Sequence, residues 1–126
     1  MRYVLDASAV LAVLNREPGG DFVSDRLADS GLCVVNAVEV GSKLVDAGMT
    51  PAAAREVIGL LGIQMIAFDA ALADIAVDLR PLTAPAGLSL ADRACLGVAI
   101  RHDATALTSD KAWSRVSPGC AVEQIR

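Results

Sequence analysis

The chain has 126 residues, which is long enough for one compact domain and too short for two full ones. Hydrophobic residues make up 54% and charged residues 21%, which excludes the low-hydrophobicity composition of disordered proteins. Eleven Lys and Arg against fifteen Asp and Glu give a net charge of −4, which argues against nucleic-acid binding through a broadly basic surface.

Neither the cysteine pattern nor the hydropathy of the chain indicates an exported protein or a membrane protein. Cys33, Cys95 and Cys120 are odd in number and form no C-x-x-C pair, so we interpret them as small buried hydrophobes. The longest uncharged stretch, residues 57–68, is shorter than the roughly 20 apolar residues that span a bilayer. Asp6 interrupts the N-terminal apolar run before it could act as a signal peptide. We therefore expect a cytoplasmic protein.

Short β-type runs alternate with longer helical patterns along the chain. We predict strands over residues 3–5, 32–35, 64–67, 105–108 and 122–125. We predict helices over residues 8–14, 22–29, 36–47, 52–61, 70–79 and 89–101, with a loop over 81–87 that contains two prolines. This alternation predicts one α/β domain over residues 1–126, with a mostly parallel sheet between two helical layers.

Most of the acidic residues follow a surface pattern. Asp21, Asp25 and Asp29 recur at every fourth residue of a predicted helix, which places them on one solvated face. Asp74 and Asp78 lie on an exposed stripe of the helix over residues 70–79. We assign none of these a functional role.

Four other acids have a different setting. Asp6 and Asp110 each follow the carboxyl end of a predicted strand, which is the edge where open α/β sheets bind ligands. Glu39 and Asp92 lie in the first turns of two predicted helices. One crevice could therefore collect all four carboxylates.

Each of the four acids also has a purely structural interpretation. Asn36-x-x-Glu39 and Ser89-x-x-Asp92 match capping boxes, in which the fourth residue bonds back to the helix cap. Asp6 can serve as a turn acid, and Asp110 can cap a short segment after it. The convergence of several acids, with no competing His or Cys pattern, favours a site over four unrelated caps.

Clustered carboxylates repel one another, and a hard divalent cation removes that repulsion. Oxygen-only ligands suit Mg²⁺ or Mn²⁺, which keep coordination positions open to water and phosphate. Such an assembly suits phosphodiester hydrolysis, and a bound cation would also let an acidic protein hold RNA.

At these acids the chain resembles the PIN-domain ribonucleases, and specifically the VapC-like toxins of type II toxin–antitoxin pairs. The resembling stretches include Leu5-Asp-Ala-Ser-Ala-Val-Leu-Ala, Asn36-Ala-Val-Glu-Val, Leu88-Ser-Leu-Ala-Asp-Arg-Ala-Cys-Leu and Leu107-Thr-Ser-Asp-Lys-Ala-Trp. The resemblance implies a metal-dependent endoribonuclease with a PIN-like three-layer sandwich. It also implies a homodimer and a cognate antitoxin whose C-terminal segment covers the groove.

The resemblance also assigns roles to single residues. It implies that Asp6, Glu39, Asp92 and Asp110 bind the Mg²⁺ or Mn²⁺ ion, with the Ser8 and Thr108 hydroxyls beside it. Some relatives carry a further acid shortly after the last aspartate, whereas Lys111-Ala112 follow here. This departure leaves the number of metal ions, one or two, open.

Basic residues near these motifs are candidates for contacts with RNA phosphates. They are Lys43, Arg93 and Lys111, whereas Arg16 is better explained as a solubilising residue. Lys43 follows Glu39 by one helical turn, so orienting that carboxylate is an alternative role for it.

Two other functions stay open at this stage. The first is an aspartate-based phosphohydrolase with Asp6 as nucleophile, although such enzymes usually have a second acid where this chain has Ser8. The second is a catalytically silent module that acts only by binding a partner protein.

Overall fold

The computed structural model describes every residue from Met1 to Arg126. The five strands are β1 (Tyr3–Leu5), β2 (Ser30–Cys33), β3 (Gln64–Ile66), β4 (Thr105–Thr108) and β5 (Val122–Gln124). The seven α-helices are α1 (Ala7–Leu14), α2 (Gly20–Ser24), α3 (Val34–Asp46), α4 (Pro51–Leu60), α5 (Ala70–Asp78), α6 (Arg80–Thr83) and α7 (Leu90–His102). Three 3₁₀ segments cover Leu27–Asp29, Ala84–Ala86 and Lys111–Arg115.

All strand pairings are parallel, and the strand order is β3-β2-β1-β4-β5. β1 is the central strand, and Leu5 at its end is aligned with Leu107 of β4. Because both strands run in the same direction, the residues that follow this aligned pair lie side by side at one edge of the sheet. They are Asp6, directly after β1, and Thr108, the last residue of β4.

The alternation of side chains along the strands builds two cores. Leu5, Leu32 and Leu107 are fully buried on the face covered by α1 to α4. Their neighbours Val4, Cys33 and Ala106 are fully buried on the face covered by α5 and α7. The predicted α/β fold, a parallel sheet between two helical layers, is confirmed.

The second strand and the helix after it begin two residues earlier than predicted. Val34 and Val35 favour a strand by local preference, but they form the first turn of α3. The shift buries Asn36, whose side-chain amide donates to the Ala91 carbonyl of α7 at 2.9 Å. A contact with a distant helix therefore outweighs the local preference of the two valines.

The loop predicted over residues 81–87 is helical in its first six residues. Pro81 lies in the first turn of α6, where its missing N–H costs no hydrogen bond. Thr83 is fully buried, and its hydroxyl donates to the Leu79 carbonyl at 2.8 Å. The helix predicted over residues 22–29 is also different, because it is divided into α2 and a 3₁₀ segment.

The cysteines are free thiols, with Cys33 and Cys95 fully buried and Cys120 partly buried. Their interpretation as small hydrophobes is confirmed for the first two. None of the helices combines the length and the apolar character that a bilayer crossing requires.

Candidate active site

Asp6 is the most constrained of the four candidate acids. It forms the N-cap of α1 directly after β1, and only 4% of its surface is exposed. Its Oδ1 accepts the backbone N–H of Ala7 at 2.8 Å, and its Oδ2 accepts the hydroxyls of Ser8 and Thr108 at 2.8 and 2.9 Å. Both predicted hydroxyl residues therefore contact this carboxylate directly.

The two hydroxyls also connect the ends of β1 and β4. Ser8 Oγ accepts the backbone N–H of Ser109 at 3.0 Å, and Thr108 Oγ1 accepts that of Asp110 at 3.0 Å. Each hydroxyl can accept one backbone N–H while its own O–H donates to Asp6. This network holds Asp6 at a defined place and orientation on the sheet edge.

The setting of Asp6 disfavours its charged form. Burial raises the pKa of Asp6 from its usual value of 3.8 to about 6, against the lowering effect of the two hydroxyl donors. The negative charges of Asp92 and Glu39 raise it further. Three carboxylates from three separate elements are therefore electrostatically coupled at this edge.

Glu39 has no partner for one of its carboxylate oxygens. Oε2 is buried without a hydrogen bond, and burial together with the charge of Asp92 raises the pKa of Glu39, while Lys43 lowers it. The capping box predicted for Asn36 and Glu39 is wrong, because α3 begins at Val34 and Asn36 is bonded to α7 instead. The capping interpretation of Glu39 is thereby removed.

Asp92 is both a cap and a member of the cluster. Its Oδ2 accepts the backbone N–H of Ser89 at 2.8 Å, and its own N–H donates to Ser89 Oγ at 3.1 Å, which confirms the predicted capping box. Burial raises the pKa of Asp92 despite these bonds, and the charge of Asp110 raises it as well.

Asp110 lies at the exposed rim of the same edge. It is the N-cap of the 3₁₀ segment Lys111–Arg115, and its Oδ1 accepts the backbone N–H of Ala112 at 2.9 Å. The capping interpretation is correct here too, but the second carboxylate oxygen takes no part in that cap.

As positioned, no three acidic, His or Cys side chains surround one point closely enough to hold a metal ion. The chemistry of the donors nevertheless fits a hard divalent cation. All four candidates supply oxygen, Glu39 Oε2 is buried and unbonded, and the mutual repulsion of Asp6, Glu39 and Asp92 would be relieved by positive charge.

The residues predicted to contact RNA phosphates differ in their exposure and in their bonds within the protein. Lys43 is exposed and close enough to Glu39 to lower its pKa. The Arg93 guanidinium donates to the Ala76 carbonyl of α5 at 2.9 Å, and Lys111 Nζ donates to the carbonyl of Arg126. The bond to Ala76 already gives Arg93 a structural role. Arg16 is exposed, as expected for a solubilising residue.

Arg126, to which the sequence patterns assign no role, has its guanidinium at the rim of the acidic edge. It donates to the Pro18 carbonyl at 2.8 Å and approaches Glu17 Oε1 and Ser109 Oγ at 3.4 Å each. Its neighbour Ile125 packs so closely on Gly19 that a β-carbon there would lie 2.4 Å from the Ile125 carbonyl oxygen. No local motif signals the contacts with Glu17 and Pro18, because they join residues that are 109 and 108 positions apart.

Comparisons with known proteins agree with this fold. A family model described as the PIN domain matches residues 3–118. A search of curated protein sequences finds no match.

Similar solved structures include several toxin–antitoxin complexes. VapBC2 from Rickettsia felis, bound to a DNA fragment from its promoter, has a chain 20% identical to this one, with a TM-score of 0.76 and 98% of both chains covered. A chain of DNA-bound VapBC from Salmonella typhimurium is 15% identical, with a TM-score of 0.77 and coverage of 100% and 99%. A chain of VapBC-5 from Mycobacterium tuberculosis is 20% identical, with a TM-score of 0.65 and coverage of 99% and 98%. At these identities the likeness establishes a shared fold.

Proposed function

Because the chain belongs to the PIN-domain family, we propose that it is a Mg²⁺- or Mn²⁺-dependent endoribonuclease that acts as the toxin of a toxin–antitoxin pair. One observation carries this proposal: Asp6, Glu39 and Asp92 come from three separate elements and lie close enough to affect one another's pKa. The fold that the chain shares with VapBC proteins over nearly its whole length supports the toxin role.

The ligands of the cation would be Asp6, Glu39, Asp92 and Asp110. When bound, the cation polarises a phosphodiester and lowers the pKa of a water molecule. The side chain of Asp6 cannot rotate freely, because three donors hold its carboxylate. Its carboxylate oxygens therefore have one fixed orientation in the site. Glu39 Oε2 has no competing partner, which leaves this oxygen free to bind the cation or to accept a proton.

The raised pKa values set the charge state of the metal-free site. A buried Asp6 with a pKa of about 6 holds its proton in mildly acidic solution, and cation binding must displace that proton. Cleavage should therefore fall steeply below about pH 6, where protons compete with the cation for these carboxylates.

The structure disfavours Asp6 as the nucleophile of a phosphohydrolase. Its two oxygens accept three hydrogen bonds and its side chain is almost completely buried, so an attack on phosphorus would have to break that network. A silent binding module would gain nothing from three carboxylates with raised pKa values, because their mutual repulsion destabilises the fold.

The proposed partners are an RNA substrate, a cognate antitoxin and a second copy of the chain, all in the cytoplasm. Large apolar side chains support protein partners, since Val38 is 68% and Val77 is 67% exposed. Val38 borders an apolar groove of about 630 Å³ between α3 and α4, whereas Val77 lies on α5. Two separate surfaces are therefore available for contacts with other chains.

The test measures RNA cleavage by purified protein, with end-mapping of the products, in EDTA and after addition of Mg²⁺ or Mn²⁺. We expect cleavage only with the added cation and none from Asp6→Asn or Asp92→Asn. The matched control Asp74→Asn makes the same chemical change at an exposed acid without hydrogen bonds and should cleave normally.

Three results would contradict the proposal. Cleavage by Asp6→Asn at the rate of the unaltered protein would refute the assigned site. Recovery with Zn²⁺ but not with Mg²⁺ or Mn²⁺ would indicate a different metal site. A trapped phosphoenzyme on Asp6 would favour the phosphohydrolase.

The toxin role has a test of its own. Expression of the protein should arrest growth, and growth arrest that persists with Asp92→Asn would show that toxicity does not depend on the nuclease activity.

A further inference from the structure

The acidic edge must hold a polyanion if the substrate is RNA, and RNA is held largely by contacts between basic side chains and phosphates. None of the four candidate acids forms an ion pair with a basic side chain, because the ion pairs of the protein involve Asp29, Asp69 and Glu17. The predicted contacts Arg93 and Lys111 already donate to carbonyls of the protein. The site therefore needs a further cation beside it.

Arg126 is held beside this edge by the two residues before it. Ile125 donates its backbone N–H to the Thr108 carbonyl at 2.9 Å, and the Gln124 side-chain amide donates to the Asp110 carbonyl at 2.8 Å. Thr108 and Asp110 belong to the proposed site. The backbone that leads to Arg126 is therefore fixed to the same strand end as the site.

The guanidinium of Arg126 joins two loops at the rim of the edge. Its Nη1 donates to the Pro18 carbonyl at 2.8 Å and lies 3.4 Å from Glu17 Oε1, whereas its Nη2 lies 3.4 Å from Ser109 Oγ. Ser109 directly precedes the candidate ligand Asp110. The guanidinium therefore lies next to the proposed cation site and pairs with an acid outside that site.

Much of the donor capacity of this guanidinium is unused. Arginine has five N–H donors in a planar fork, and only the bond to Pro18 is short. The contact with Glu17 is longer than the roughly 2.8 Å of a charge-assisted hydrogen bond, and the two side chains are 35% and 39% exposed. A phosphate, which binds the fork through two parallel bonds, could therefore replace Glu17 at little cost.

We infer that Arg126 is a substrate-binding residue of the proposed nuclease: its guanidinium binds an RNA phosphate beside the one that is cleaved. This inference rests on the proposed function, because it needs an RNA strand across the acidic edge. The bond to Pro18 and the fixed backbone hold the guanidinium in place while the phosphate replaces Glu17. The charge of Arg126 thereby offsets part of the repulsion between the acidic edge and the RNA.

A purely structural role for Arg126 predicts a different result. If Arg126 only fastens the loop of Glu17 and Pro18 to the end of β5, the loss of either member of the ion pair should have a similar effect. Glu17→Gln breaks the same ion pair but keeps the guanidinium. A phosphate-binding role predicts that Glu17→Gln binds RNA at least as tightly as its parent protein, because a competing anion has been removed.

The test measures RNA binding by fluorescence anisotropy at constant Mg²⁺, with a labelled RNA that spans the mapped cleavage site. All variants carry Asp92→Asn, which prevents cleavage. Arg126→Gln should raise the Kd by about 10-fold or more. It should also lower the slope of log Kd against log salt by about 0.7, the value for one phosphate contact on a single strand. The control Arg80→Gln removes the same charge from an exposed side chain without hydrogen bonds and should change neither quantity.

Neutral methylphosphonates, placed one at a time in the RNA, locate the phosphate. Each carries a 2′-deoxy sugar on its 5′ side for chemical stability, and the deoxy substitution alone is the control. With Arg126 present, a methylphosphonate at one position beside the cleaved bond should weaken binding, and Arg126→Gln should lose this sensitivity at that position only. In the protein with Asp92 intact, Arg126→Gln should raise KM and leave kcat little changed.

A second variant covers a failure of Arg126→Gln to fold. Arg126→Lys can still donate to the Pro18 carbonyl, but it cannot bind a phosphate through two parallel bonds. The methylphosphonate at the same position should therefore weaken binding less with lysine than with arginine. If the effect of the methylphosphonates does not depend on residue 126 at any position, the inference is overturned.

The outcomes separate this inference from the proposed function. The substrate-binding role alone is refuted if the unaltered protein binds Mg²⁺ and cleaves RNA but Arg126→Gln binds RNA as tightly as its parent. The same conclusion follows if Glu17→Gln weakens RNA binding as much as Arg126→Gln does. If the unaltered protein neither binds a divalent cation nor cleaves RNA, the proposed function fails and the substrate-binding role falls with it.

Discussion

Replacement of Asp6 by Asn should stabilise the metal-free protein at neutral pH, although it removes a buried group that accepts three hydrogen bonds. The carboxylate and the amide have nearly the same shape, so the change removes charge and keeps packing. Burial and the neighbouring charges of Asp92 and Glu39 raise the pKa of Asp6 from 3.8 to about 6. The charged form of Asp6 is therefore destabilising in the folded protein.

The difference of about two pH units between the folded and unfolded protein corresponds to about 3 kcal/mol. Between about pH 4 and pH 6 the folded protein keeps a proton on Asp6 that the unfolded chain has released, so stability falls as the pH rises through this range. Above pH 6 the whole destabilisation is present. Asn has one acceptor oxygen where Asp6 uses two, so at least one of the three hydrogen bonds is lost. This loss offsets part of the gain by about 1 kcal/mol, which leaves a net stabilisation on the order of 1–2 kcal/mol at pH 7.5.

The assay is thermal and urea unfolding in EDTA, followed by circular dichroism from pH 4 to pH 8. Asp6→Asn should unfold at a higher temperature than the unaltered protein at pH 7.5 and should lose this advantage at pH 4. The exposed control Asp74→Asn should follow the unaltered protein throughout. If Asp6→Asn is less stable at pH 7.5, or if its advantage does not depend on pH, the coupling of buried carboxylates that we infer is absent.

Three further predictions concern metal binding and packing. Mn²⁺ at about 100 times its Kd should stabilise the unaltered protein by about 2.7 kcal/mol by binding the folded state, and Asp6→Asn should lose most of this gain in a thermal-shift titration. Asn36→Ala should lower the free energy of unfolding by about 1–2 kcal/mol, because the bond to the Ala91 carbonyl is lost; an unchanged urea midpoint would show that this bond does not hold α3 to α7. Gly19→Ala should lower the free energy of unfolding by about 2 kcal/mol or more, since Gly19 has a φ of +89° and its added β-carbon would clash with Ile125. Gly48 also has a positive φ but has open space around it, so Gly48→Ala separates the effect of the clash from that of backbone strain.

Local sequence patterns predicted most of the architecture and the positions of the acids relative to it. The alternation of β-type and helical runs depends on hydrophobic periodicity, which neighbouring residues carry, and the fold class followed from it. The Ser89–Asp92 capping box was also predictable, because a cap joins residues only three apart. Predictions failed at Val34–Val35 and over residues 81–87, where tertiary contacts by Asn36 and Thr83 stabilise helical turns against local preference.

The sequence by itself determined which residue types reach the sheet edge: the order of strands and turns puts Asp6, Thr108 and Asp110 there in any parallel arrangement that places β1 beside β4. Only the tertiary structure decided what their environments are. The raised pKa of Asp6 and the unbonded Oε2 of Glu39 each depend on atoms from elements tens of residues away. Burial and electrostatic coupling are properties of three-dimensional packing, and no window of the sequence contains them.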